Sequence, residues 1–127
     1  MQDKVTYEFA VIRVVPKVER EEFLNVGVIV FSKAKRYLEM KYLLPTQKLS
    51  IFSPDLDIEA LEDYLKAWEQ VCAGRPHGGA IGEMDTASRY RWLTATRSTI
   101  IQSSRTHPGL CGDPAEVLEK LFELYVS

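Results

Sequence analysis

The sequence predicts an α+β fold: a mostly antiparallel sheet of about four strands, with helices packed on it. Two observations carry this. Strand-like apolar runs crowd into the first 45 residues, whereas steps of three and four take over after Pro45 and return at the end of the chain. The resulting order, β-β-β-α-α-β-α, segregates strands from helices and so argues against repeated parallel βαβ units. At 127 residues the chain fits one domain, 1–127, with enough length to bury a core without disulfides or metals.

The first strand is VTYEFAVIRVV, Val5 to Val15. Tyr7, Phe9, Val11, Arg13 and Val15 share one side; Val5, Ala10, Ile12 and Val14 lie on the other. Apolar residues on both sides predict a central strand, covered on both faces or on one face and part of the other. Pro16 ends the pairing because it has no backbone donor. Residues 17–23 read as a charged connection. A second strand follows from about Asn25 to Ser32, with Val26, Val28 and Val30 opposite Gly27, Ile29 and Phe31. The link Lys33-Ala34-Lys35 suits a hairpin. In the third strand, RYLEMKYLL, Leu38, Met40, Tyr42 and Leu44 alternate with Glu39 and Lys41, so the first set should face the core and the second water.

Beyond Pro45 the stripe Ile58, Leu61, Leu65, Trp68 and Cys72 predicts a buried helical face. Its start is open: Ser53-Pro54 offers a cap with a first-turn proline, and Asp55 or Asp57 can cap instead. AGRPHGGAIG, Ala73 to Gly82, has the composition of a surface loop. A shorter helix is expected over Thr86 to Thr94, turning Tyr90 and Leu93 inward, and TIIQSS, Thr99 to Ser104, reads as the fourth strand. The last helix has the clearest signature. Asp113 caps, Pro114 takes the first position, Glu116 completes a capping box, and Val117, Leu118, Leu121, Phe122 and Tyr125 form the stripe that docks it on the sheet.

Composition narrows the function. A formal net charge of -2 gives no global attraction to nucleic acid or anionic lipid, so recognition has to come from a local patch. No apolar run has the length of a membrane span, and MQDKVTYEF has no signal-peptide core, which predicts a cytoplasmic protein without membrane association. Cys72 and Cys111 form no C-x-x-C pair and are expected as free thiols. With His77 and His107 they make a two-Cys, two-His set, but the spacing fits none of the common zinc motifs, so no metal or other cofactor is expected. Phosphate-loop, G-x-S-x-G and H-E-x-x-H signatures are absent, and no catalytic residue is indicated.

Two groups of residues remain as site candidates. The first is Arg13, Arg20, Glu22, Asn25 and Gly27. Glycine inside a strand marks a bulge or a close approach, and Tyr7, Phe9, Tyr37 or Tyr42 are candidates to fill the space above Gly27. Arg13 interrupts an apolar face and needs a partner or a route to water, with Glu22 or Glu21 as candidate partners. If Arg13, Arg20, Glu22 and Asn25 converge, they form either a polar network that fixes the loop or a shallow ligand site. The second group is Arg89, Arg91, Trp92, Arg97 and Arg105, in a stretch with no acidic residue between Asp85 and Asp113. Guanidinium groups grip phosphate and aromatics stack on bases, so this segment can serve as an anion, nucleic-acid or protein interface. Alternatively, the acidic run from Asp55 to Glu69 on the preceding helix neutralises it within the fold.

The combination of YEFAVIRVVP, REEFLNVGVIVF and DPAEVLEKLFELYV resembles the bacterial family known as domain of unknown function 3037, over nearly the whole chain. The shared pattern Arg-x-Glu-Phe-x-Asn-Val-Gly-Val corresponds to Arg20, Glu22, Phe23, Asn25, Val26, Gly27 and Val28. The resemblance implies no activity. It implies a small cytoplasmic bacterial protein, often encoded beside a kinase-like protein of the toxin–antitoxin type. The leading expectation is therefore a module that binds a protein partner through the sheet edge or the basic segment; the alternative is a nucleic-acid or phosphate-binding protein that uses residues 89–105. The sequence fixes no oligomeric state.

Overall fold

A computed structural model describes residues 3–74 and 79–126. Its sheet has five antiparallel strands: β1 Val5–Val14, β2 Leu24–Ser32, β3 Tyr37–Tyr42, β4 Ile101–Ser103 and β5 His107–Cys111. β1 is central. One edge pairs with β2, which pairs with β3; the other edge is shared end to end, by β5 against Val5–Phe9 and by β4 against Ile12–Val14. Ser104 closes the gap between them. Its N–H donates to Val11 O at 2.8 Å, and its hydroxyl accepts from Val11 N–H at 2.8 Å in place of a backbone carbonyl.

Among the described residues five helices pack on the sheet: α1 Thr46–Phe52, α2 Ile58–Ala73, α3 Gly79–Gly82, α4 Thr86–Leu93 and α5 Pro114–Tyr125. On one face Ile12, Val14, Ile29, Phe31, Leu38 and Met40 pack against Leu49 of α1, the Leu61–Leu65–Trp68–Cys72 stripe of α2, and Tyr90 and Leu93 of α4. On the other face Phe9, Val11, Val28 and Val30 meet Leu118, Val117 and Leu121 of α5. β1 and β2 are thus buried on both sides, as a central pair must be. Asp57 is the residue that caps α2, its carboxylate accepting from Ala60 N–H at 3.1 Å, and Asp113 caps α5 through Ala115 N–H at 3.0 Å.

Several details depart from the alternation in the sequence. Ile12 pairs with Gly27 but Arg13 with Asn25, so Val26 is an unpaired bulge residue. The bulge turns Val26 away from Val28 and Val30, into the core on the α2 side. Lys41 keeps 40% of its side chain exposed while leaning on α5. It crosses to α5, where it bridges Glu119 at 2.5 Å and lies over the Phe122 ring. α1 was not expected, and β5 was hidden by Pro108 and Gly109, both poor strand formers. An edge strand tolerates them, and Gly109 has a use: an added Cβ would lie 2.5 Å from the Tyr7 ring, which covers it. Gly79–Gly82 forms a helical turn where a loop was expected, and Arg75–Gly78 of that stretch lie outside the described residues.

Burial pushes the Cys72 thiol up to about 12. A thiolate at that site is scarce at pH 8, and the sulfur is enclosed by the α2 stripe. Ellman's reagent should therefore find Cys72 slow in the native protein and both thiols reactive in denaturant; fast native labelling of Cys72 would contradict its packing.

Candidate functional site

The first candidate group lies where β1 ends and β2 begins, but it divides into two clusters. Arg20 ends a 3-10 turn, Val18–Arg20, and its Nε meets Glu22 Oε1 at 2.7 Å. Both side chains are exposed, 63% and 51%. Between them Glu21 takes a left-handed conformation, φ 55°, which turns the chain toward β2. This loop and the α1–α2 connection enclose a shallow cleft of about 170 Å³, with Lys17, Arg20 and Glu22 on one side and Phe52 and Asp55 on the other.

Arg13 and Asn25 form the second cluster. They are opposed across β1 and β2, beside the bulge, on the face that carries α5. Asn25 Nδ2 donates to Tyr125 O at 3.3 Å, tying β2 to the last turn of α5. The Arg13 guanidinium lies beneath the Phe23 ring, 4.1 Å from its centroid, and Phe23 is itself 46% exposed. Arg13 is therefore partnered by an aromatic ring, and Glu22 by Arg20; the expected Arg13–Glu22 pair is replaced by these two contacts. Among the described residues, two atoms of the cluster are buried without a hydrogen-bond partner: the donor Arg13 Nε and the acceptor Asn25 Oδ1. A pair so buried and so close to an exposed aromatic is unusual, since buried polar atoms are nearly always satisfied.

Gly27 faces the other side, toward α2. A Cβ there would lie 2.8 Å from Lys41 O, 2.9 Å from Tyr42 Cβ and 3.0 Å from Ile12 Cδ1. Of the four aromatics expected to cover it, Tyr42 does so. Tyr7 and Phe9 lie with the opposite face, where Phe9 packs 5.2 Å from His107 and 6.0 Å from Tyr125 between ring centroids. Gly27 is thus a packing position, separated from the Arg13–Asn25 pair by the sheet.

The basic segment is largely spent inside the fold, and its partners are not the acids of α2. Arg89 caps the C-terminus of α2, donating through Nη1 to Val71 O and Cys72 O at 2.8 and 2.7 Å, and through Nε to Met84 O at 3.1 Å. Gly74, at φ 84°, supplies both the left-handed turn after α2 and the space that the guanidinium fills. Arg91 grips Glu8 with two bonds of 3.0 and 2.7 Å, which raise its already high pKa. Arg97 is held between the rings of Trp68 and Trp92, 5.0 and 4.9 Å from their centroids, while donating to Trp92 O and Leu93 O. Trp92 serves that sandwich. Of the five candidates Arg91 and Arg105 are exposed side chains, and Arg91 is paired with Glu8. Below Arg91, Tyr90 OH bonds Thr106 Oγ1, which approaches Glu8; burial pushes the Tyr90 phenol up to about 12.

Cys72 is in the α2 stripe, Cys111 ends β5, and His77 of the possible zinc set lies outside the described residues. Sequence reasoning singled out neither Phe23 nor Tyr125 as a site residue. For Phe23 the signal was present: a bulky apolar residue in a charged connection, directly before the strand. For Tyr125 there was none, because its contribution is a backbone carbonyl.

An exposed ion pair contributes little. Glu22→Gln should therefore cost less than about 1 kcal/mol, and reversing the charges of both Arg13 and Glu22 should restore nothing, since they are not partners. Recovery in that double variant, read from urea midpoints, would reinstate a direct Arg13–Glu22 contact.

The sequence model of a family described as Protein of unknown function (DUF3037) matches residues 9–126. Comparison with curated proteins and with solved structures found no match for the chain.

Proposed function

The chain belongs to the DUF3037 family of proteins of unknown function, and within it we propose that this protein is a binding module for another protein. One observation supports this above others: an exposed aromatic, Phe23, stands over Arg13, whose Nε is, like Asn25 Oδ1 on the opposing strand, buried without a hydrogen-bond partner among the described residues. Aromatic and arginine side chains are enriched among the residues on which protein interfaces concentrate their binding energy. A phosphate-binding reading has less to draw on, because Arg89 and Arg97 are committed to backbone carbonyls and Arg91 to Glu8. Among the described residues no helix is long and apolar enough to cross a membrane. The partner to test first is the kinase-like protein whose proximity the family resemblance implies, in the bacterial cytoplasm.

The experiment is capture from the native host with the tagged full chain, with and without nuclease, at low and at high salt. Contacts to phosphate weaken steeply as salt rises, whereas an interface built on apolar and neutral hydrogen-bonding groups persists. A single protein retained in stoichiometric amount after nuclease and high salt is the expected result. Nucleic acid retained at low salt and shed at high salt, with no protein, would overturn the reading.

A further inference from the structure

We infer that the ligand of the Arg13–Asn25 pair is the main-chain N–H and C=O of one residue, presented by an extended segment of the partner that displaces the Phe23 ring. The inference rests on the protein-binding reading above and names the chemistry of its contact.

The argument is one of donor and acceptor complementarity. Arg13 Nε offers one N–H and seeks an acceptor; Asn25 Oδ1 offers lone pairs and seeks a donor. The Asn25 amide is oriented by its own second bond, because Nδ2 is committed to Tyr125 O, and turning the amide over would set two oxygens against each other. Cross-strand neighbours have Cβ atoms about 4.5–5.5 Å apart, so one small group can address both side chains. A carboxylate or a phosphodiester suits Arg13 but gives Asn25 Oδ1 no proton, and it places negative charge against that oxygen. An ammonium has the opposite defect. In an extended segment the C=O and N–H of one residue point to the same side, giving Arg13 an acceptor and Asn25 a donor together.

The free protein cannot satisfy the pair by closing it on itself without giving up other contacts. Arg13 is held under Phe23 and Asn25 is held to α5. Phe23 precedes β2, so its ring can rotate away while the strand ladder stays intact. The exposed Phe23 ring then borders the bound segment and favours an apolar side chain beside it.

The test uses the full chain labelled with nitrogen-15, observing the Arg13 Nε–H resonance. Titration with N-acetyl-leucine N-methylamide should shift that resonance saturably. The analogue methylated on both amide nitrogens keeps its carbonyls and loses its N–H groups, and it should bind about five- to tenfold more weakly. Sodium acetate and sodium dimethyl phosphate should give no saturable shift. Arg13→Lys retains the charge but removes Nε; it should bind no blocked peptide while its backbone spectrum keeps the wild-type dispersion. If Arg13→Lys does not fold, the comparison of the two peptides on the wild-type chain decides by itself. No saturable shift, equal affinity for the methylated analogue, or saturable binding of acetate or dimethyl phosphate would each overturn the inference. A protein captured at high salt together with a failed peptide titration would leave the binding module standing and remove only the peptide contact.

Discussion

Gly27→Val should lower stability by about 3 kcal/mol, the upper part of the range for forcing extra atoms into a packed core. For a chain of this size the urea midpoint would then fall by more than about 1 M. The reason lies in which atoms crowd the position. The two nearest to an added Cβ, Lys41 O and Tyr42 Cβ, are fixed parts of β3, and β3 cannot withdraw without breaking the ladder to β2. Ile12 Cδ1, the third, ends a flexible side chain and can move. Two further results follow from that ordering. Gly27→Ala should already cost most of the penalty, because the conflict begins at Cβ. Adding Ile12→Val to Gly27→Val should recover little, because it relieves only the movable neighbour. An unchanged midpoint in Gly27→Val, or full recovery with Ile12→Val, would show that β3 yields more easily than a paired strand should.

Such predictions also show how far the sequence was readable. Where a rule concerns neighbours along the chain, the reading held: Asp113-Pro114 starts α5, and Leu61, Leu65, Trp68 and Cys72 line its counterpart α2. Gly27 was correctly marked as a place of close approach, for a glycine in a strand carries that meaning by itself. The approaching atoms were harder to name, because a backbone carbonyl leaves no trace in residue identity. Val26 was assigned to the wrong face since strict alternation has no place for a bulge, and a single unpaired residue exchanges the faces on one side of it. The candidate site was legible as a list and illegible as an arrangement. Arg13 and Asn25 proved to be opposed across two strands, whereas Arg20 and Glu22 pair only with each other on the loop. Their partners, the Phe23 ring and Tyr125 O, depend on where α5 comes to rest, and that is decided by packing.

The basic segment makes the same point through energy. Arg89 and Arg91 stand two residues apart in a run that reads as one positive patch, yet their removal should have unequal effects. Arg91 is mostly exposed and pairs with Glu8 near solvent, so Arg91→Gln should cost no more than about 1 kcal/mol. Arg89 is half-buried and delivers donors to Cys72 O, at the end of α2, to Val71 O, which also accepts from Gly74 N–H at 3.2 Å, and to Met84 O and Thr86 Oγ1. Arg89→Met keeps much of the stem's volume but removes those donors, at a cost of about 1–3 kcal/mol for each buried acceptor left unpaired out of reach of water. A total loss of roughly 2–4 kcal/mol is expected, in the range of broken buried networks. Arg89→Lys should restore only part of it, since one ammonium cannot reproduce the planar fork that spans two carbonyls on α2 and a third beyond it. Amide exchange in the last turn of α2 should quicken in Arg89→Met and stay near wild type in Arg91→Gln. If the two substitutions instead proved equally mild, Arg89 would be an ordinary surface cation, free to meet a phosphate, and the nucleic-acid alternative would regain the contact that the helix cap now takes from it.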